Sequence, residues 1–122
     1  MEDFQSNKMT LGIIGTGGFA REVLQLAVHI QNKTDVWYDK INFVMFDEFI
    51  SAEIVDNVRV LKLSKCNLSK MKFVIATGNP VIKNRILKKL PSRTIFTSLI
   101  SPLSFIASDF KYEPGLIIMP FS

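Results

Sequence analysis

Apolar residues fall along this chain in short runs separated by helical patterns, and the alternation predicts a small parallel α/β sheet. Residues 9–14 have the apolar, β-branched character of a central strand, strongest from Thr10 to Ile14. Phe19, Val23, Ala27 and Ile30 recur at the spacing of one helix face and predict a helix over residues 19–32. Residues 32–40 are polar, interrupted by Trp37 and Tyr38, and read as a connecting loop. Residues 41–46 predict the second strand, which ends on Asp47-Glu48. Residues 51–63 show no clear period, but Val55-Asp56-Asn57-Val58 within them reads as a turn with short extended flanks, a candidate hairpin. Residues 64–70 read as a short helix or turn capped by Ser64. Residues 72–77 predict a strand closed by Gly78-Asn79. Pro80 suits the first turn of a helix running to about Leu90, with Ile82, Ile86 and Leu90 on its buried face and Pro91 as its stop. Residues 94–99 predict a last strand.

After residue 99 the rhythm changes. Ile100, Ile106, Tyr112 and Ile118 are spaced by six, and Pro102, Pro114 and Pro120 each stand two residues beyond one of them. A six-residue period led by an aliphatic side chain is the pattern of a hexapeptide β-helix, whose short sides turn a corner every six residues. The small residue usual four places later is Ser104 in the first unit and Ser122 in the last, whereas Phe110 and Leu116 hold that place in the middle units, so an irregular coil is expected. Three hexads make one triangular coil, and residues 116–121 would form its unfinished apolar edge; chance spacing in an apolar tail is the alternative. The implied division is residues 1–99 and residues 100–122.

Between the first strand and the first helix lies Gly15-Thr16-Gly17-Gly18-Phe19-Ala20. Gly15 permits a tight turn, Gly17 lets a ligand approach bare backbone, and Ala20 stands where a third small residue lets helix pack on strand. An anion held there would face the N–H groups and the positive dipole end of the helix. Alone the motif is weak, because a glycine-rich connection can also be only a turn.

Composition narrows the class. A chain of 122 residues, 48% hydrophobic, fits one domain with a real core and not a disordered segment. The net charge of +4 is mild, and Lys8, Lys33, Lys62, Lys65, Lys70 and Lys72 are scattered. Lys83, Arg85, Lys88 and Lys89 gather on the late helix, but no aromatic or Gly-rich RNA motif accompanies them, so a solvated helix face is expected and no nucleic-acid partner. Cys66 is the only cysteine, which leaves no intrachain disulfide or cysteine metal cluster and fits a reducing compartment. No apolar run reaches the ~18 residues that span a bilayer, and residues 1–8 are polar, unlike a signal peptide. The expectation is a soluble, cytoplasmic protein without a membrane partner.

Taken in order, the motifs carry a resemblance. Residues 14–22 (Ile-Gly-Thr-Gly-Gly-Phe-Ala-Arg-Glu), Phe46-Asp47-Glu48, residues 75–80 (Ile-Ala-Thr-Gly-Asn-Pro) with Arg85, Leu99-Ile100-Ser101-Pro102 and residues 115–120 (Gly-Leu-Ile-Ile-Met-Pro) resemble the bacterial sugar acyltransferases of the sialic-acid O-acetyltransferase (NeuD/PglD-like) type. Close relatives N-acylate nucleotide-linked 4-amino sugars. The resemblance covers about residues 11–122. It implies an N-terminal Rossmann-like domain that holds a nucleotide-sugar, a UDP-sugar foremost, in surface polysaccharide or glycan sugar biosynthesis. It further implies the start of a left-handed β-helix, which in the complete enzymes forms a homotrimer and holds acetyl-CoA between neighbouring subunits, with a β-helix histidine as general base. This chain departs from that pattern: its single histidine, His29, falls in the first helix and reads as a structural or surface residue. The catalytic histidine and most of the acetyl-CoA surface are expected beyond Ser122. This chain by itself is therefore expected to bind no acetyl-CoA, to perform no acyl transfer, and to be a monomer or weak oligomer.

Nucleotide-sugar contacts are expected from Gly15, Thr16, Gly17, Gly18, Phe19, Asp47, Glu48, Gly78, Asn79 and Arg85. The glycines would offer backbone N–H groups to phosphate. Phe19 packs the ligand or the core. Asp47 accepts from a ribose or uracil edge, or serves as a cap or solvated carboxylate. Asn79 caps the Pro80 helix, turns its amide to the ligand, or does both. Arg85 meets the ligand or is a surface arginine, and Arg21-Glu22 reads as a helix-start ion pair rather than a catalytic pair. No catalytic or metal-binding residue is expected, since no nucleophile–base arrangement occurs and the acidic residues do not cluster with histidine. One alternative is a small NAD-type dinucleotide binder. An acidic residue about 20 positions after the glycines would serve the NAD ribose, whereas Asp47 lies 32 residues after Gly15, and Asp35, at the right count, falls in the loop. Another is a non-catalytic interaction domain that kept the fold.

Overall fold

The computed structural model describes residues 9–35, 38–104 and 114–119. Trp37, Ile106, Phe110, Tyr112, Pro120, Ser122 and the polar start over residues 1–8, which carry parts of the sequence reading, lie outside the described residues.

The expected alternation forms. Strand β1 (Thr10–Ile14) leads through the glycine turn into α1 (Gly18–Lys33), then β2 (Lys40–Met45), the hairpin β3 (Ile54–Val55) and β4 (Val58–Lys62), β5 (Met71–Ile75) and α2 (Pro80–Lys89). Short 3₁₀ turns occupy Asp47–Phe49, Leu63–Lys65 and Leu68–Lys70. The five strands order β3-β4-β2-β1-β5. β1 pairs in parallel with β2 and β5, β2 in parallel with β4, and only the β3–β4 hairpin is antiparallel. This mostly parallel sheet with two helices fits a Rossmann-like fold. The hairpin turns through Asp56 and Asn57, both at positive φ (50° and 64°), the pairing that a two-residue turn between right-twisted strands demands.

The sheet is covered on both faces because its strands alternate. Leu11, Ile13, Phe43 and Val74 join one buried cluster with Val23, Leu24, Leu26, Ala27 and Ile30 of α1. Ile14, Val44, Phe73 and Ile75 join the other, against which Ile86 and Leu90 pack. Each fully buried aliphatic or aromatic side chain of this kind is worth about 1.5–3 kcal/mol of transfer free energy. Of the expected α1 face, Val23, Ala27 and Ile30 are buried, and Phe19 packs half-buried against the core. Tyr38, read as loop, is buried with its hydroxyl 3.3 Å from Thr97 Oγ1.

Three local readings need correction. Residues 94–99 do not form a continuous strand: Phe96 makes one parallel bridge to Phe73, flanked by Phe73 N–H to Ile95 O and Thr97 N–H to Phe73 O. Ile82 does not join a buried face but is 44% exposed, and α2 has no buried residue at all. Ser64 is not a cap; it lies inside its 3₁₀ turn, and its hydroxyl donates to Asp47.

After the bridge, β6 (Leu99–Ile100) pairs in parallel with β7 (Ile117–Ile118). The offset is 18 residues, Leu99 to Ile117 and Ile100 to Ile118. Ser98 Oγ accepts from the N–H groups of both Gly115 and Leu116 at 3.1 Å and fixes that register. Leu99 is buried in the α1 cluster, so the second, small sheet is packed onto the α1 side of the five-stranded sheet. No helix among the described residues is long and apolar enough to cross a membrane.

Candidate functional site

Strand order defines where a ligand can sit. The chain moves from β1 outward to β2 and β4, then crosses back to place β5 on the other side of β1. The loops leaving β1 and β5 therefore diverge, and a crevice opens at their carboxyl ends, the usual ligand position in parallel sheets. The β1 loop carries Gly15 to Gly18; the β5 loop carries Ala76 to Asn79.

Gly15 is fixed by the fold. Its φ is +131°, and a β-carbon there would stand 3.2 Å from the carbonyl oxygen of Ala76. Its N–H donates to Val44 O at 3.0 Å, and Ala76 N–H donates to Ile14 O at 3.0 Å, so the ladder continues one residue past each strand. The expectation that Gly15 offers its amide to phosphate is thus corrected: that donor is already used by β2. Gly17 and Gly18 differ, with nothing within 4 Å of where a β-carbon would stand. Gly17 is the cap residue of α1, has no side chain to cap with, and no acidic residue occupies the first turn. Among the described residues the N–H groups of Gly18, Phe19 and Ala20 meet no acceptor. An α-helix always leaves such orphan donors, and the dipole adds a partial positive charge to them. Thr16 is half-buried between the fixed and the open glycines.

The start of α2 contrasts with this. Asn79 Oδ1 accepts from Val81 N–H at 2.9 Å and Ile82 N–H at 3.2 Å, and Asn79 N–H donates to Thr77 Oγ1. Asn79 is a helix cap, and Gly78 beside it is exposed with open space around it.

Beside the crevice lies a pocket of about 310 Å³ whose wall is overwhelmingly apolar. Ile14, Met45 and Phe46, at the exits of β1 and β2, line it from the sheet, and Ile82, Arg85, Ile86 and Lys89 line it from α2. Ile14 joins the pocket to the glycine turn that follows it. Lys89 Nζ stands 4.6 Å from the Phe46 ring centroid and 4.9 Å from that of Phe49, which pack edge to face, and donates to Glu48 Oε2 at 3.1 Å. Glu48 is held below its ordinary pKa by a backbone hydrogen bond and by Lys89. Among the described residues Arg85 is the lining cation without a partner. The Phe46–Phe49–Lys89 cluster was not legible in the sequence, since Lys89 lies some 40 positions from the two rings; only the Phe46-Asp47-Glu48 motif pointed toward it.

Asp47 stands one residue beyond this wall and is occupied. Its carboxylate accepts the hydroxyl of Ser64 and, at 3.3 Å, the Ser64 N–H. These bonds lower its pKa, with Lys62 and Lys65 adding to the effect. Together with Glu48, Cys66, Lys89 and Arg93 it borders a second, open cleft of about 410 Å³. Partial burial pushes the Cys66 thiol up, which keeps it protonated at neutral pH.

The other candidates separate from the crevice. Arg21 pairs with Asp56 of the hairpin turn at 3.0 Å, not with Glu22. His29 lies two turns further along α1 than Glu22, its Nε2 buried without a partner among the described residues. No group of His, Cys, Asp and Glu among the described residues could hold a metal ion. The structure thus brings Phe46 and Arg85 around one pocket, places Glu48 on the adjoining cleft bonded to the pocket's Lys89, leaves Gly17, Gly18 and Phe19 on the turn that follows the pocket's Ile14, and commits Gly15, Asp47 and Asn79 to hydrogen bonds within the fold.

The sequence profile of the PglD N-terminal domain matches residues 10–90. That span runs from the first residue of β1 to the C-cap of α2, and so contains the five-stranded sheet, both helices and the crevice. A comparison with curated proteins finds no match.

Proposed function

The chain belongs to the PglD N-terminal domain family, that of a sugar acetyltransferase's N-terminal part, and from this premise we propose that it binds a nucleotide-sugar, a UDP-sugar foremost, in the crevice between β1 and β5. The observation that carries the reading is the uncapped start of α1 beside an apolar pocket with one unpartnered cation. A diphosphate suits the first: the amides of Gly18, Phe19 and Ala20 donate to it, and the helix dipole favours its charge. A nucleobase suits the second, flat and apolar on its faces, against Ile14, Phe46 and Ile86. Arg85 takes a phosphate oxygen at the rim, where a guanidinium forms paired donors.

Acyl transfer then belongs to the part of the enzyme that the resemblance places on a β-helix. The register of β6 and β7 supports the start of such a coil, because an offset of 18 residues is three hexads, one triangular turn. Acetyl-CoA would supply the acyl group there, and none of the crevice residues is assigned to hold it. His29 is not proposed as its general base: it lies on α1, does not line the crevice pocket, and borders a separate cleft with Met119, the residue after β7.

Calorimetric titration with UDP and with a UDP-hexosamine tests the proposal. Binding of both, weakened by Arg85→Ala without loss of thermal stability, is the expected result. Absence of heat with every nucleotide would favour the interaction-domain reading instead.

A further inference from the structure

The two helices of this sheet are held very differently. α1 buries Ala20, Val23, Leu24, Leu26, Ala27 and Ile30 and packs against β1, β2 and β6. α2 has no fully buried residue, rests on the second core cluster only through half-buried Ile86 and its C-cap Leu90, exposes Val81, Ile82 and Leu87, and no strand packs against it to a comparable extent among the described residues. The space beneath it is the 310 Å³ pocket, with the sheet residues Ile14, Met45 and Phe46 on one side and the helix residues Ile82, Arg85, Ile86 and Lys89 on the other. A helix that bounds a cavity and rests on half-buried side chains has less of the apolar burial that normally fixes a helix to a sheet.

One attachment stands out at its far end. Lys89 donates to Glu48 and lies over the rings of Phe46 and Phe49, all three on the β2 exit. The near end hangs on Gly78, which is unhindered, and on a cap internal to the helix itself. We infer that α2 is a movable wall of the pocket, latched to the β2 exit through Lys89, and that a bound nucleotide closes it by giving the exposed Ile82 an apolar surface to pack on beside the already seated Ile86. The closing step rests on the nucleotide reading above; the loose, latched wall does not.

Native-state amide exchange on the full chain, followed by NMR, separates the two. Without ligand, α2 amides are expected to exchange roughly 100-fold faster than the core amides of α1. Glu48→Gln, which keeps the shape of the latch and removes its charge, should speed α2 exchange a further two- to five-fold, roughly, and leave α1 unchanged. Lys89→Arg, which keeps both the ion pair and the ring contact, should leave α2 exchange at wild-type rates. Equal protection of α1 and α2, or an α2 indifferent to Glu48→Gln, would overturn the latched wall. Saturating UDP should slow α2 exchange. If UDP shifts the Gly17 and Gly18 amides while α2 exchange stays unchanged, closure is overturned; if UDP shifts neither, the nucleotide reading falls and the ligand-free result still decides the wall.

Discussion

Gly12 on β1 stands directly beside Phe73 on β5, so close that a β-carbon on Gly12 would lie 2.7 Å from two atoms of the Phe73 ring and 3.1 Å from Val44. Phe73 is fully buried, so the ring has no room to withdraw. Gly12→Ala is expected to lower stability by about 1–3 kcal/mol through overpacking, read as a lower denaturant midpoint at unchanged slope. Adding Phe73→Leu should return part of the loss, and a double-mutant cycle would measure how much.

The glycine turn splits into a structural half and an open half. Gly15→Ala forces a side chain into φ +131° against the Ala76 carbonyl and should cost about 1–3 kcal/mol. Gly18→Ala, at the first helical position and in open space, should stabilise by about 0.4–1 kcal/mol. The same change should weaken nucleotide binding roughly tenfold, the loss of one charge-assisted hydrogen bond of about 1.5 kcal/mol, because a β-carbon holds phosphate off the amides. A thermal midpoint and a binding isotherm on each variant check the split.

Acid should loosen the β2 exit. The Asp47 pKa lies below its usual 3.8 in the folded chain because Ser64 donates twice to the carboxylate. A depressed pKa means a contribution fully present above the unfolded value and lost as pH falls through the folded one. The thermal midpoint of Ser64→Ala should therefore fall less than that of the wild type as pH drops below about 4. Both should differ by a constant amount at neutral pH. A parallel fall of the two curves would show that the Ser64 bonds do not set the acid response.

Ser98→Ala tests the small sheet. Its hydroxyl is the shared acceptor for the Gly115 and Leu116 amides, and removing it leaves two part-buried donors unpaired. A loss of about 1–3 kcal/mol is expected, together with lost protection of the amides of Leu99 and Ser101, which donate to the same segment.

The sheet was legible because local pattern and tertiary role agree: residues 10–14, 41–45 and 72–75 are apolar enough to be buried on both faces, and that is where they lie. The hairpin was legible from Asp56-Asn57, two residues that tolerate positive φ. Of the expected α2 face, Ile86 and Leu90 do pack on the core, but Ile82 does not, because a helical period of apolar residues signals an amphipathic helix without saying where a cavity lies beneath it. Residues 94–99 were misread as a strand because β-branched composition cannot report that one bridge satisfies the pairing. The Arg21–Asp56 and Lys89–Glu48 pairs, and the demand for Gly12, join residues far apart in the chain, which no local period encodes. Of the positions in the six-residue rhythm, Ile100 and Ile118 pair across β6 and β7, while the middle ones, Ile106 and Tyr112, lie outside the described residues.

The central claim is that the open half of the glycine turn is a phosphate site for a uridine nucleotide. The most direct test follows the backbone amides of Gly17, Gly18 and Phe19 and the ring signals of Phe46 by NMR while UDP, and separately NAD, is added. The account predicts that UDP shifts all four sets, that NAD shifts none, and that Gly15, whose amide is bonded to Val44, moves least. Stabilisation and shifts produced by NAD alone, or amides that ignore UDP at saturating concentration, would contradict it.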